Sequence, residues 1–248
     1  MREFVLVDDA FPAERVVTMR NATLGSSYVG RSPLIGTFQA SRGFAVTFRR
    51  EGLETVAERL PFLMPFIERV LRPRSYRPLW SLWERTINVL ADRRPNLFYV
   101  NLLLVPPGAG VGHHVDATLR SAIGLPDALP RVVSVLYLQY AAHWKGGLLR
   151  LSRDDRRVGD IQPRKCTRVP SRGDLAHEVT PVDLEADEDR VRASLVCEQY
   201  CVAEAMAARL PPFSVRSQGR FQYFLDKTKG APAPNVVLEF PESRSPER

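Results

Sequence analysis

Residues 96–105 read NLFYVNLLLV and residues 131–140 read RVVSVLYLQY. Both are runs of strand length, rich in Val, Leu, Tyr and Phe, with prolines and charged residues at their borders. Three shorter runs of the same texture come later in the chain: GGLLRLS at 146–152, KCTRV at 165–169 and VRASLVCEQY at 191–200. Gly, Pro and charged turns separate them, and no helical periodicity intervenes. Strands in succession without crossover helices pair antiparallel. The fold class expected is therefore mainly β with helices (α+β), built on an antiparallel double-sheet barrel of the jelly-roll or cupin kind.

Outward from that core, the N-terminal third has helical texture. EFVLVDDAFPAERVVTM at 3–19 reads as a short strand, a break and a helix starting near Pro12. Residues 20–50 are irregular, broken by Gly25, Gly30, Gly36 and Gly43. Leu53, Val56, Leu60, Leu63, Ile67 and Val70 then recur at helical spacing, with Pro61 and Pro65 placed to kink or split the helix. Another helix is expected over 79–91, and one more near 202–209. These helices are expected to pack on one outer face of a single domain over 1–240, whose β core spans about 97–202. The polar end PESRSPER, 241–248, is expected to be disordered.

Bulk properties narrow the class. A 248-residue chain with 44% hydrophobic and 25% charged residues is neither disordered nor fibrous, and no apolar stretch is long enough for a membrane span. Three cysteines, Cys166, Cys197 and Cys201, do not make a disulfide framework, and a cytoplasmic location is expected. The formal charge of +7 is rich in arginine between Arg153 and Arg172. It permits nucleic acid as a partner. The plainer reading is a solvated surface, since no aromatic residues interleave with the run.

The segment PPGAGVGHHVDATL, 106–119, places His114 and Asp116 two residues apart after a glycine-rich turn. On an extended chain, positions i and i+2 point the same way. One strand thus offers an imidazole and a carboxylate to two neighbouring corners of a metal, and His177 in GDLAHEVTPV, 173–182, is the best candidate for a third. Two imidazoles and a carboxylate on one face are the arrangement of non-haem iron(II) oxygenases, although zinc hydrolases use similar ligands. A metal that chelates a 2-oxo acid needs a cation for the acid's far carboxylate. Arg192 on the last strand supplies a planar fork for it, and Ser194 on the same face adds a hydroxyl. Alone, His-x-Asp is weak, His177 reads as a turn histidine and Arg192 as half of a surface ion pair; together they fit one mechanism. His113 reads as a flank, His143 as a loop residue, and Gly146 and Gly147 as turn or bulge residues.

In order along the chain, GVGHHVD, PRVVSVLYLQY, WKGGLLRL, GDIQP, AHEVTPV and RASL make residues 98–200 resemble the 2-oxoglutarate and iron(II)-dependent dioxygenases, above all their prolyl-hydroxylase-like branch. FVLVDDAFPAERV, 4–16, is similar to the strand and helix before that family's core. The resemblance implies a double-stranded β-helix with Fe(II) on His114, Asp116 and His177, and Arg192 holding 2-oxoglutarate. With O2 as co-substrate, an unactivated C–H bond would be oxidised with release of succinate and CO2. The substrate implied is a peptidyl or free amino acid, or another small molecule. The chain departs from the family where tyrosines often reach the co-substrate: Pro106 holds the first place and Leu136 the second, with Tyr137 read as facing away. Asn101 is then a polar substitute. RVPSRGDLAHEV, 168–179, reads as a charged loop before His177, and residues 25–43 and 153–172 as the rim of the pocket. The alternative class is a non-catalytic β-barrel that binds a metal or anion, for which nucleic acid is an allowed partner. A metal-dependent hydrolase would want a base, and Glu178 is read as pointing away.

Overall fold

Pro12, with φ −54°, stands at the N-cap of the first helix, α1 (Ala13–Leu24), and Glu14 lies in its first turn, where a negative charge offsets the exposed amide dipoles. The amphipathic stretch after Arg50 is split as its prolines demand. Helix α2 (Leu53–Arg59) stops at Leu60, which Pro61 forces out of helical geometry, and α3 (Met64–Leu71) restarts with Pro65 in its first turn. The computed structural model describes residues 2–26, 28–29, 42–81, 86, 94–140, 144–182 and 191–217. The helix expected over 79–91, His143, most of the rim at 25–43 and the tail at 241–248 lie wholly or largely outside the described residues.

Among the described residues, ten strands form two antiparallel sheets. The larger takes β1 (Arg42–Arg49), β2 (Leu97–Val105), β4 (Val132–Gln139), β7 (Arg168–Arg172), β9 (Arg192–Tyr200) and β10 (Phe213–Ser217), in the order β10-β1-β2-β9-β4-β7. The smaller runs β3-β8-β5-β6, with β3 Val111–Val115, β5 Leu149–Arg153, β6 Arg156–Ile161 and β8 Ala176–Val179. Two short helices, α4 (Arg120–Ile123) and α5 (Glu204–Ala207), sit in connections. This is the expected double-stranded β-helix. The sheet also extends past the expected 97–202 core, because β1 pairs with β2 and β10 with β1.

The period of two in each strand divides two cores. Phe44, Val46, Phe98, Val100, Leu136, Leu195 and Cys197 face outward and pack on Val16, Met19, Val56, Phe66 and Val70 of the helices. That covers the larger sheet on one outer face. Leu103, Val105, Val135, Tyr137 and Val169 face inward and meet Val111, Leu149, Leu151, Ile161 and Val179 of the smaller sheet.

Strand extends through two segments that read as loops, the first of them continuing the expected strand KCTRV, 165–169. RVPSRGDLAHEV contains β7 and β8, and Pro170 is tolerated because β7 is an edge strand, whose outer side is met by residues 3–7 through isolated bridges, Val5 N donating to the Pro170 carbonyl. Residues 153–161 turn through Asp154 and Asp155, both with positive φ, and form the β5–β6 hairpin. Its arginines are largely paired: Arg150 with Glu178, Arg153 with Glu3 and Asp174, Arg157 with Asp160. The three cysteines are free, and among the described residues no helix is long and apolar enough to cross a membrane.

Gly110 lies where β3 comes against β8, and a Cβ there would sit 2.5 Å from the Val179 carbonyl oxygen. Backbone contact of this kind excludes a side chain. Gly110→Ala is expected to cost about 1–3 kcal/mol of stability by overpacking, read from the midpoint of urea unfolding.

Candidate metal centre

His114 and His177 are register partners across the antiparallel β3–β8 pair, and Leu151 of β5 flanks His177 on the other side. Their rings therefore project from one face of the smaller sheet into the space between the sheets, with centroids 4.3 Å apart. Asp116, just past β3, completes the group. Its two oxygens lie 3.4 Å from His114 Nε2 and 3.6 Å from His177 Nε2. One donor atom from each residue falls within 4.8 Å of the others, the spacing of a three-ligand metal site.

The rings are turned for that use. His114 Nδ1 lies 2.7 Å from the Gly112 carbonyl and His177 Nδ1 3.5 Å from that of Leu175, so both Nε2 atoms face Asp116. A proton held on Nδ1 by a carbonyl leaves the Nε2 lone pair for a cation. Burial lowers the His177 pKa and favours its neutral form. Burial also disfavours charge on His114, but the hydrogen bond and charge of Asp116 outweigh it and raise that pKa. For Asp116, burial pushes the carboxyl up; the fields of His177 and His114 prevail and hold it below its ordinary value. A carboxylate only 6% exposed, with Oδ2 accepting no hydrogen bond, is costly unless a cation neutralises it. Neighbours expected to face away do so: His113 bonds the Ser152 hydroxyl at 2.9 Å, and Glu178 pairs with Arg150 at 3.1 Å.

The larger sheet presents a second cluster of polar side chains to the interior. Arg192 and Ser194 share the inward face of β9, and Arg192 is only 1% exposed. Its guanidinium lies over the Tyr137 ring, 5.2 Å from the centroid, and reaches Ser194 Oγ at 3.5 Å. Among the described residues no carboxylate is within ion-pair distance of it. Burial lowers its pKa, and the neighbouring Tyr137 opposes that shift. Gly147, with φ +60°, leaves room for the arginine stem: a Cβ there would stand 3.4 Å from Arg192 Cδ. Gly146 is likewise at positive φ, in an isolated antiparallel bridge to Val182. Asn101 faces inward between Ala45 and Val196, and its Oδ1 is buried without a hydrogen bond.

One orientation read from the sequence is corrected. Tyr137, not Leu136, faces the interior: it pairs with Ser194, whereas Leu136 packs with the helix-side core. The Tyr137 hydroxyl is buried near the Arg192 guanidinium, short of hydrogen-bond geometry. Sequence reasoning also missed Glu198. It lies inward on β9, 2% exposed, and accepts hydrogen bonds from Thr118 Oγ1 at 2.5 Å, Thr118 N at 3.3 Å and the Tyr200 hydroxyl. Burial, reinforced by the charge of Asp116, pushes its carboxyl up to about 8. The available signal was its even spacing from Arg192.

No protein-family model matches the chain, and no curated protein matches it. Solved structures do. A prolyl-4-hydroxylase from Pseudomonas putida is 19% identical, with a TM-score of 0.50 over 82% of this chain and 95% of that one. A 2OG-Fe(II) oxygenase family oxidoreductase from Burkholderia pseudomallei is 17% identical, with a TM-score of 0.51 over 81% and 86%. A Trichoplax adhaerens prolyl hydroxylase, solved with a hypoxia inducible factor peptide fragment, is 16% identical, with a TM-score of 0.51 over 83% and 86%. At these identities the likeness is one of fold, and the fold is that of the 2-oxoglutarate–Fe(II) oxygenases.

Ala substitution of His114, Asp116 or His177 is expected to weaken Mn(II) binding at least about a hundredfold, the upper end of what loss of an outer contact costs. His113→Ala is expected to leave it unchanged. Equilibrium dialysis with metal analysis reads both.

Proposed function

We propose that the chain is a 2-oxoglutarate- and iron(II)-dependent dioxygenase that oxidises a C–H bond of a peptidyl or free amino acid or another small molecule. The observation that carries this reading is the pairing of two half-sites inside one barrel. One is a His-Asp-His group with a buried carboxylate oxygen that accepts no hydrogen bond. The other is a guanidinium 1% exposed with no acidic partner among the described residues. Each alone would be an expensive defect. A divalent cation relieves the first, and a dicarboxylate that reaches between them relieves the second.

Three ligands on one face suit an iron(II) ion with open positions, as they do in other facial-triad oxygenases. Bound there, iron(II) supplies the redox chemistry by which O2 and 2-oxoglutarate give succinate, CO2 and an oxidised substrate. The atoms balance, with one oxygen passing to succinate and one to the substrate carbon. The protein's own part is placement. Arg192 holds the distal carboxylate of 2-oxoglutarate through a forked pair of N–H donors, and Tyr137 and Ser194 donate their hydroxyls to it. Asn101 faces the same space and offers an amide. The inward Leu103, Val105, Leu149, Leu151 and Val179 keep water away from the reacting end. A metal-binding barrel without catalysis has no use for a second, unmatched cation.

Anaerobic titration of the protein with Fe(II) and then 2-oxoglutarate is expected to produce a weak visible charge-transfer band. Arg192→Met is expected to raise the 2-oxoglutarate concentration needed for that band about a hundredfold or more, since it removes a desolvated charge partner. Tyr137→Phe is expected to raise it about tenfold, the loss of one hydrogen bond to a charged group. Tight metal binding with no band at any 2-oxoglutarate concentration would exclude the assignment.

A further inference from the structure

His114 and His177 are fixed by the β3–β8 ladder, but Asp116 is not. The last paired residues are Val115 and Ala176, so Asp116 stands one position beyond the register. The chain then turns, with Arg120 N donating to the Ala117 carbonyl and Ile123 N to that of Leu119. A carboxylate on an unpaired residue needs another anchor if it is to keep its two oxygens between two imidazoles.

That anchor comes from the opposite sheet. Glu198 of β9 accepts from both the hydroxyl and the backbone N–H of Thr118, and from the Tyr200 hydroxyl. Tyr200 in turn accepts from Leu119 N at 3.4 Å. Two successive amides and one hydroxyl of the turn are thereby tied to two side chains about eighty residues away. Glu198, Leu119 and Tyr200 are each at most 2% exposed. Such a closed network holds one geometry, because any displaced member leaves a buried polar group without its partner.

Resting on the metal assignment proposed above, we infer that Glu198, with Tyr200, is a positioning residue for the metal ligand Asp116, acting through Thr118. The carboxyl suits the task because its two oxygens meet the Thr118 amide, the Thr118 hydroxyl and the Tyr200 hydroxyl at once. An amide in its place would turn an N–H2 toward the Thr118 amide or the tyrosine hydroxyl. Thr118 is the sensitive joint, since Thr118→Val keeps its shape and removes the hydroxyl, and Thr118→Ser restores the hydroxyl.

The test is Co(II) titration of the full chain, read by the visible d–d absorption of the bound ion. Wild type is expected to bind and His177→Ala is not. Thr118→Val and Glu198→Gln are expected to weaken binding about 10–100-fold and to change the band shape, as loss of an outer contact does. Thr118→Ser is expected to recover most of the affinity. Val70→Ala, in α3 far from the site, supplies a fold-destabilised control that keeps wild-type affinity and spectrum. If Thr118→Val and Glu198→Gln bind Co(II) as wild type does while His177→Ala does not, the positioning role is wrong and the metal assignment stands. A wild-type chain that takes up no Co(II) overturns both.

Discussion

The placement of two histidines opposite one another in an antiparallel ladder is the constraint on which the rest of the structure depends. Register partners on neighbouring strands project from the same face, so the β3–β8 pairing brings His114 and His177 together without help from a loop. A slip of one residue would send His177 to the face where Glu178 now pairs with Arg150. Gly110 permits the close approach of the two strands, and the inward hydrophobic residues of the smaller sheet keep that register from moving.

The larger sheet obeys the same alternation with a different cargo. Along β9 the outward residues Ala193, Leu195 and Cys197 belong to the helix-side core, while Arg192, Ser194, Val196, Glu198 and Tyr200 look inward. A single strand thus carries a buried guanidinium at one end and, toward the other, the carboxyl that bonds the turn after Asp116. The helices contribute indirectly, since they bury the outer face of this sheet and leave its inner face free for chemistry.

Much of this was legible in the sequence, where a local period was enough. His114 and Asp116 are two apart on extended chain, Arg192 and Ser194 likewise, and the split of the amphipathic helix came from Pro61. What was not legible depended on register or on sheet edges. Tyr137 and Leu136 are adjacent, and only the pairing of Tyr137 with Ser194 decides which of them faces the site. The start of β7 showed in KCTRV, but its continuation hid behind Pro170, which an edge strand accepts, and β6 behind a charged sequence that suits an edge. β1 lay in a stretch whose glycines read as irregular. The contact of Glu198 with Thr118 joins residues about eighty positions apart and has no local signal at all.

The central claim is that O2 is split between 2-oxoglutarate and a substrate inside this barrel. The most direct measurement is turnover of the iron-loaded protein with 2-oxoglutarate under isotopically heavy O2, with mass spectrometry of the succinate formed. The account predicts succinate carrying a single heavy oxygen atom, formed by wild type and not by Asp116→Ala. Succinate without the label, or its formation at an equal rate by Asp116→Ala, would contradict it.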